Sequence, residues 1–166
     1  MTPRKANALG VAACAAMLAY AYYAQFVLHL EPCPLCIFQR LGIFAIGVVF
    51  GLACLQDPVS WGRKAYAALI GIAALITIGV AARHLYIQSA PPGSVPACGA
   101  SLDFMLKVFP LTDVLVKVLT GSGECAQITW RFLGVSMPGW VLIAALALGV
   151  WGLWANLRRR PPVLRF

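Results

Sequence analysis

A pair of cysteines at the edge of an apolar segment constrains this chain more than any other feature. Cys33-Pro34-Leu35-Cys36 stands directly before a long apolar run, and Arg40 follows it. Cysteines at this spacing close readily into a cyclic disulfide, and the thiolate of one of them is often stabilised, which makes it an attacking or leaving group. Core packing does not explain the pair, because two apolar side chains would fill the same space without redox chemistry. The motif therefore indicates disulfide exchange at the end of an apolar segment.

The composition places the chain among membrane proteins. Of its 166 residues, 61% are hydrophobic and only 11% are charged, which excludes an ordinary soluble domain. Apolar stretches long enough, or nearly so, to cross a hydrocarbon layer of roughly 30 Å lie at about 8–28, 37–55, 65–83 and 140–157. A spanning segment must satisfy its own backbone hydrogen bonds, so each stretch is expected to be a helix. We predict an all-α membrane protein, a four-transmembrane-helix bundle that forms a single integral membrane domain over residues 1–166.

The distribution of charge predicts the orientation of these spans. The net charge is +8, and eight of the 13 basic residues lie at one set of span ends: Arg4, Lys5, Arg63, Lys64, Arg158, Arg159, Arg160 and Arg165. The positive-inside rule assigns those ends to the cytoplasm, so both termini are expected to be cytoplasmic. The segments at about 29–36 and 85–139 then face the outer, periplasmic side. The last arginines directly abut a span, which favours a membrane anchor over a nucleic-acid-binding tail.

This topology divides the cysteines into two groups. Cys14 and Cys54 lie within spans, where a free thiol behaves as a small hydrophobic side chain. The outer segments contain the other four: Cys33, Cys36, Cys98 and Cys125. Disulfides persist on that side of the membrane, and all three pairings of four cysteines remain open, structural disulfides included. A zinc site is disfavoured, because the two later cysteines stand far apart rather than in a second close pair, and we expect no bound metal.

The long outer segment has its own pattern of breakers and apolar residues. Residues 89–96 are rich in Pro, Gly and Ser and are expected to be extended, which would put Cys98 on a flexible arm. Apolar residues recur at helical spacing over 111–119 and predict a short amphipathic helix within this periplasmic loop. That helix suits either the membrane surface or a position packed on the bundle. A second hinge is expected at 121–123, just before Cys125.

A cation and a histidine are expected near the cysteine pair. Arg40 lies four residues after Cys36 and so shares its helix face, and the helix N-terminus also favours a thiolate at Cys36. His84 closes the third apolar stretch at the same outer level, where Trp130 and Trp140 are expected as interfacial anchors. Arg40 could instead extend to the lipid headgroups, and His84 could be an interfacial polar side chain. Together with the cysteine pair, they favour a site for a membrane-soluble electron acceptor.

These motifs together resemble the disulfide bond formation protein B (DsbB) family of bacterial inner-membrane thiol oxidases. The similarity covers nearly the whole chain, and the motifs follow one another in the family's order: Glu31-Pro32-Cys33-Pro34-Leu35-Cys36-Ile37-Phe38-Gln39-Arg40, Ala97-Cys98, Leu102-Asp103-Phe104-Met105, Gly123-Glu124-Cys125-Ala126, Trp130-Arg131-Phe132-Leu133-Gly134 and Met137-Pro138-Gly139-Trp140. The vitamin K epoxide reductases have a similar bundle, but their loop cysteines precede the CxxC pair. Here the pair comes first, which favours the DsbB family.

The resemblance implies a role for each outer cysteine. Cys98 matches the loop cysteine that forms a mixed disulfide with a DsbA-like periplasmic oxidase of the thioredoxin fold, and Cys125 matches its disulfide partner. Cys33 matches the cysteine that exchanges with the loop pair. Cys36 matches the one that contacts quinone. Electrons are then expected to pass from the partner to the loop pair, to the CxxC pair and to quinone.

The resemblance also implies the acceptor, the location and the activity. Arg40 and His84 match the family's quinone-site residues, and the quinone would be ubiquinone or menaquinone. The implied activity is that of a protein-dithiol:quinone oxidoreductase in the bacterial inner membrane, with a DsbA-like oxidase, the membrane quinone pool and the lipid bilayer as partners and no nucleic acid. A membrane scaffold with structural disulfides and a reductive thiol relay are the alternatives. The position of the CxxC pair disfavours the scaffold, and Cys14 and Cys54 make a poor relay because they are not a closely spaced pair.

Overall fold

The structure is a computed structural model that describes residues 1–91, 107–108, 110–121 and 123–158. Its elements in chain order are α1 (Pro3–Phe26), α2 (Pro34–Gln56), α3 (Trp61–Ser89), α4 (Leu111–Thr120), α5 (Gly123–Ala126), β1 (Arg131–Phe132), β2 (Val135–Ser136) and α6 (Met137–Leu157). Several positions named above lie outside the described residues: Cys98, most of the stretch at 89–96, Ser122 within the expected hinge, Arg159, Arg160 and Arg165.

The helices α1, α2, α3 and α6 are long and apolar enough to cross a membrane. α1 packs along α2, α2 along α3, and α3 along α6, while α6 also meets α1, so the helices close into a bundle. The prediction of an all-α membrane protein with four spanning helices is therefore confirmed. Each helix is longer than the apolar stretch that predicted it, because residues beyond the hydrocarbon-like segment continue the backbone hydrogen bonding.

The extra helical turns place two candidate site residues within regular helix. α2 begins at Pro34, whose fixed φ suits the first helical position, so Cys36 lies inside the helix and Cys33 is its N-cap residue. α3 continues to Ser89, so His84 lies within the helix rather than at its end. Both residues are therefore held by regular helical backbone at the same end of the bundle.

Close helix packing surrounds the buried ring of Phe50 at the centre of the bundle. A Cβ atom on Gly10 of α1 would lie 2.7 Å from this ring, and one on Gly152 of α6 would lie 3.1 Å from it. Small residues let spanning helices approach in this way. The buried members of this core come from all the spanning helices: Cys14, Ile43, Ile46, Phe50, Ile70, Ala74 and Leu148. Cys14 thus contributes packing, as its position within a span predicts.

Polar contacts join the helix ends opposite the cysteine pair. Asn7 of α1 and Asn156 of α6 exchange two amide hydrogen bonds, with N···O distances of 3.2 and 3.0 Å, and each side chain is 1% exposed. Arg63 at the start of α3 donates a hydrogen bond to the carbonyl oxygen of Arg158 after α6. The described basic residues of the predicted inner ends therefore gather at one end of the bundle. The outward faces of the helices expose large apolar side chains, among them Leu41, Phe44, Leu75 and Ile76, which suits contact with lipid.

The amphipathic helix α4 packs on the end of the bundle that carries the cysteine pair, which is called the outer end after the predicted orientation. Its buried residues Val114 and Val118 belong to a cluster with Leu35 of α2 and Ile87 of α3. Arg83 of α3 donates hydrogen bonds to the carbonyl oxygens of the last two residues of α4, at 2.8 and 3.2 Å, which satisfies groups that a helix C-terminus leaves unpaired. Of the two positions that the sequence allows for this helix, the structure has the one packed on the bundle.

A small hairpin precedes α6 and was not predicted. β1 pairs antiparallel with β2, and the connecting residues Leu133 and Gly134 have φ of 51° and 80°. Two consecutive positive φ angles are typical of the tight turns that join short hairpins. The hairpin carries Phe132 between Trp130 and Trp140, with ring centroids 6.1 and 6.0 Å away. The two tryptophans that the sequence suggested as interfacial anchors thus form one aromatic cluster with Phe132.

Candidate functional site

The sulfur atoms of the CxxC pair lie at the first turn of α2. Cys33 has extended backbone, with φ −65° and ψ 163°, and its Sγ lies 3.2 Å from Sγ of Cys36. The Cys33 thiol donates a hydrogen bond to the Cys36 sulfur. Cys33 is buried and Cys36 is partly exposed. A donor thiol and a helix N-terminus both favour negative charge on Cys36, so the geometry suits an attacking or leaving thiolate there.

The short helix α5 places Cys125 beside this pair. Cys125 is 1% exposed and belongs to the same apolar cluster as Cys33. The Sγ atoms of Cys33 and Cys125 and a ring nitrogen of His84 all lie within 4.8 Å of one another. The long segment between α3 and α6 therefore brings Cys125, one of its two cysteines, against the CxxC pair.

The same three atoms are of the kind that bind zinc. Two sulfurs on one tetrahedral zinc ion lie about 3.8 Å apart, given a Zn–S distance of about 2.3 Å. The distance of 3.2 Å between Cys33 and Cys36 is shorter and matches a hydrogen bond between a thiol and a thiolate. That distance concerns Cys36 and does not test the cluster of Cys33, Cys125 and His84, so the expectation that this cluster holds no metal stays a prediction.

His84 connects three elements of the site through a buried ring. Its Nε2 lies 3.1 Å from the carbonyl oxygen of Cys125 and 3.7 Å from Sγ of Cys33. Its Nδ1 lies 3.0 Å from Nε2 of Gln39 on α2. The sequence suggested that His84 would bind a carbonyl group of an acceptor. In the structure the ring contacts Cys33 and the backbone of α5 and also lines a cavity beside Cys36 and Arg40, so a role toward an acceptor stays a prediction.

Arg40 ties α2 to α1 at the depth of the cysteine pair. Its Nη2 donates to the carbonyl oxygen of Ala21 at 3.0 Å, and its Nη1 donates to the side-chain oxygen of Gln25. The guanidinium also lies over the ring of Tyr22, 5.4 Å from its centroid. These contacts stabilise a cation within a spanning helix, where an unpaired charge is costly. Arg40 therefore has a structural role that its spacing from Cys36 does not reveal.

Two cavities share Cys36 and Arg40 in their walls. The first has a volume of about 560 Å³, lies at the outer end of the bundle and also contacts Cys33 and His84. The second has a volume of about 430 Å³ and lies between α1, α2 and α6. Its other walls are mostly apolar and aromatic: Met17, Leu18, Tyr20, Ile43, Trp130, Phe132, Trp140 and Val141. An apolar cavity with a few polar groups at one end is the usual form of a small-molecule site.

The structure brings most of the predicted site residues together. Five of them surround one region at the outer end of the bundle: Cys33, Cys36, Arg40, His84 and Cys125. Cys98 lies outside the described residues. Sequence reasoning missed Gln39 and Gln25, which hold His84 and Arg40. A polar side chain within an apolar span is the signal that could have found them, since such a group needs a partner there.

Four spanning helices hold a cysteine pair against a further buried cysteine. This arrangement defines the class of membrane proteins that carry out disulfide chemistry. The chain belongs to the DsbB family: the family described as "Disulfide bond formation protein DsbB" matches residues 3–155. This membership supports a disulfide-forming oxidoreductase role for the multi-pass protein and confirms the resemblance found in its sequence motifs.

Relatives with high identity carry a consistent name. The chain is 56% identical to a protein of Nitrosococcus oceani over 146 residues, which are 88% of this chain and 86% of that relative. It is 48% identical to a protein of Chromobacterium violaceum, over 96% of each chain. It is 46% identical to one of Marinobacter nauticus, over 98% of this chain and 96% of the relative. All three are named "Disulfide bond formation protein B".

Proposed function

We propose that this protein is a membrane thiol:quinone oxidoreductase that reoxidises a periplasmic DsbA-like oxidase. The observation that carries the proposal is a line of three sulfurs that ends at an apolar cavity. Cys125 lies against Cys33, Cys33 lies 3.2 Å from Cys36, and Cys36 lines the cavity of about 430 Å³. Thiol exchange needs close sulfurs, and a hydrophobic acceptor needs an apolar site beside the last one.

The proposed exchange begins with the loop pair. Two thiols of the partner reduce a Cys98–Cys125 disulfide, so that the partner gains a disulfide and Cys98 and Cys125 gain two electrons and two protons. The loop thiols then reduce a Cys33–Cys36 disulfide through attack on Cys33. The contact between Cys125 and Cys33 supports this second step, since it places a sulfur of each pair within reach of the other.

The proposed acceptor is membrane quinone, either ubiquinone or menaquinone. The thiols of Cys36 and Cys33 become a disulfide, and the quinone takes up the two electrons and two protons to become a quinol. Cys36 and Arg40, which line the second cavity together with the polar side chain of Gln39, would meet the quinone ring, and the aromatic and aliphatic walls of that cavity would hold it. A cation beside the ring favours the negative charge that develops on a quinone oxygen during reduction.

We further propose a bacterial inner membrane location with both termini in the cytoplasm. Arg63 and Arg158 meet at one end of the bundle, and the cysteine pair lies at the other. The positive-inside rule supports a cytoplasmic position for the basic end and a periplasmic position for the thiols. A periplasmic site suits the chemistry, because disulfides persist in that compartment.

The test is to purify the protein from membranes, extract and identify any bound quinone, and supply a reduced thioredoxin-fold dithiol partner. The proposal expects oxidation of the partner together with reduction of quinone. A Cys14→Ser, Cys54→Ser double variant is the matched control and should keep full turnover. No oxidation of the partner would favour a scaffold. Reduction of an oxidised partner at the expense of quinol would favour a reductive relay.

A further inference from the structure

Gln39 has a buried, hydrogen-bonded side chain, and the proposed electron path does not explain why this hydrogen bond is made. It lies in the second turn of α2, within a spanning helix, and is only 3% exposed. Its Nε2 lies 3.0 Å from Nδ1 of His84. A buried amide in an apolar helix is costly unless its hydrogen-bonding groups are satisfied. The pairing with His84 therefore accounts for a glutamine where an apolar residue would otherwise serve.

The contacts of His84 determine which nitrogen carries the proton. Nε2 lies 3.1 Å from the carbonyl oxygen of Cys125, and a carbonyl oxygen can only accept a hydrogen bond. Nε2 must therefore be the donor, and in a neutral ring Nδ1 is then an acceptor. Gln39 satisfies Nδ1 by presenting its amide NH₂ group. The two partners, one on each side of the ring, thus favour a single tautomer.

In this tautomer the Nε2–H group also faces the sulfur of Cys33. Nε2 also lies 3.7 Å from Sγ of Cys33, within reach of a weak hydrogen bond to sulfur. A donor at that position stabilises negative charge on Cys33 when this sulfur leaves or attacks during exchange. The titratable groups that face the ring are Cys33 from the start of α2 and Cys125 from α5, and Cys36 adjoins Cys33.

We propose that Gln39 is a positioning residue that holds the His84 ring with its Nε2–H directed at Cys33 and the Cys125 carbonyl. The amide suits this task in both charge states of the ring, because rotation of the amide presents its oxygen to an Nδ1–H group. The inference rests on the proposed function in one respect only, namely that exchange at Cys33 is a step of turnover. The placement of the ring is independent of the acceptor and of the partner.

The first measurement addresses the wild-type protein and needs no turnover. The chain contains two histidines, so ¹⁵N-histidine labelling of the full chain, with a His29→Gln variant for assignment, isolates the ring signals of His84. In reduced protein at mildly alkaline pH, we expect the pattern of a neutral ring with the proton on Nε2. In a second sample that also carries ¹⁵N in its glutamine side chains, a coupling across the hydrogen bond between the Gln39 amide nitrogen and Nδ1 should accompany it. A proton on Nδ1 instead would overturn the proposal.

The second measurement compares two variants made with the same substitution in the same helix. Gln39→Met keeps length and helix propensity but removes the donor, and we expect single-turnover exchange at Cys33 to slow by about tenfold. Because Gln39 also lines the second cavity, exchange is measured in the absence of quinone, and the ¹⁵N signals of His84 in this variant should show a mixture of tautomers, a change that general loosening of the site would not produce. Gln56→Met is the control, since Gln56 lies at the opposite end of α2 and accepts a hydrogen bond from Tyr66 at 2.6 Å.

The outcomes separate this inference from the proposed function. If wild-type protein shows the Nε2–H ring but never reduces quinone, the proposed function fails and the placement by Gln39 stands. If wild-type protein reduces quinone while Gln39→Met exchanges at the wild-type rate, Gln39 is only a packing residue and the inference is wrong. Should Gln39→Met fail to fold, the tautomer of the wild-type ring still decides the matter.

Discussion

Cys33 and Cys125 place their sulfur atoms within 4.8 Å of each other, although they come from different outer segments of the chain. A disulfide requires an S–S distance of about 2.05 Å, so a small movement of the two side chains would join them. The contact lies inside an apolar cluster with Leu35 and Ile87, which holds both cysteines against the end of the bundle. The proposed exchange between the two cysteine pairs would take place at this contact.

The first prediction concerns which cysteines turnover requires. Serine at any of the four outer positions should abolish partner-dependent quinone reduction, because each sulfur accepts or passes on a disulfide in the proposed path: Cys33, Cys36, Cys98 and Cys125. Cys14→Ser and Cys54→Ser should retain activity, since these thiols lie in spans away from the site. The measurement is the initial rate of quinone absorbance change with reduced partner. Full activity of Cys36→Ser would contradict the mechanism.

The second prediction concerns capture of the partner. Removal of the resolving cysteine should trap the mixed disulfide: in a Cys125→Ser chain, Cys98 should form a stable adduct with a partner that lacks its own second cysteine, and the Cys33–Cys36 disulfide takes up the two electrons that these two thiols lose. Non-reducing gels of the mixture show this adduct by its mass. The matched control is Cys98→Ser, which should form none. An adduct in the Cys98→Ser chain would reverse the assigned roles of these two cysteines.

The third prediction separates two roles of Arg40. Arg40→Ala should raise the apparent KM for quinone strongly while the loop disulfide still exchanges with the partner, and Arg40→Lys should be partly active because it keeps the charge without the planar fork. Gln25→Leu removes one acceptor of Arg40 without removing its charge, so its effect on KM should be smaller. Steady-state titration with quinone measures the KM, and single-turnover thiol exchange measures the reaction of the loop disulfide with the partner.

A different result would assign Arg40 to the fold. Arg40 also bonds to Ala21 and lies over Tyr22, so the Arg40→Ala variant loses contacts between α1 and α2. If that variant inserts poorly but shows an unchanged KM for quinone, Arg40 is a helix-packing residue. The acceptor site would then lie elsewhere.

The fourth prediction concerns stability at the other end of the bundle. Asn7→Ala or Asn156→Ala should each lower the free energy of unfolding by about 1–2 kcal/mol, because each removes both hydrogen bonds between the two buried amides and leaves a side-chain oxygen without its donor, although Asn156 keeps its bond to the carbonyl oxygen of Gly152. The double variant should lose less than the sum, with a coupling of about 0.6 kcal/mol. Unfolding of the wild type, the two single variants and the double variant in mixed micelles measures these free energies. Fully additive losses would show that the two amides do not support each other.

The sequence predicts the bundle because hydropathy alone identifies segments that must be helical in lipid. It does not predict how far each helix runs, since the last turns of α3, from His84 to Ser89, contain polar residues that hydropathy excludes. The hairpin escapes prediction because its strands have two residues each and its turn places Leu133 at positive φ. Short elements of this kind carry too little periodicity to stand out.

The sequence identifies individual residues of the candidate site, but it does not predict how they are arranged in space. Spacing links Cys33, Cys36 and Arg40, which share the first turns of one helix. The approach of Cys125 and the orientation of His84 depend on how α5 packs against α2 and α3, which no local pattern encodes. Contacts between residues far apart in sequence depend on the whole fold, so they had to be observed.

The most direct test of the account is the stoichiometry of one coupled reaction. Purified wild-type protein is mixed anaerobically with quinone and a limiting amount of reduced DsbA-like partner, and quinol and partner disulfide are both counted. The account predicts one quinol for each partner disulfide formed, and neither product in the Cys36→Ser variant. Partner disulfide formed without quinol, or quinol formed by the Cys36→Ser variant, would contradict it.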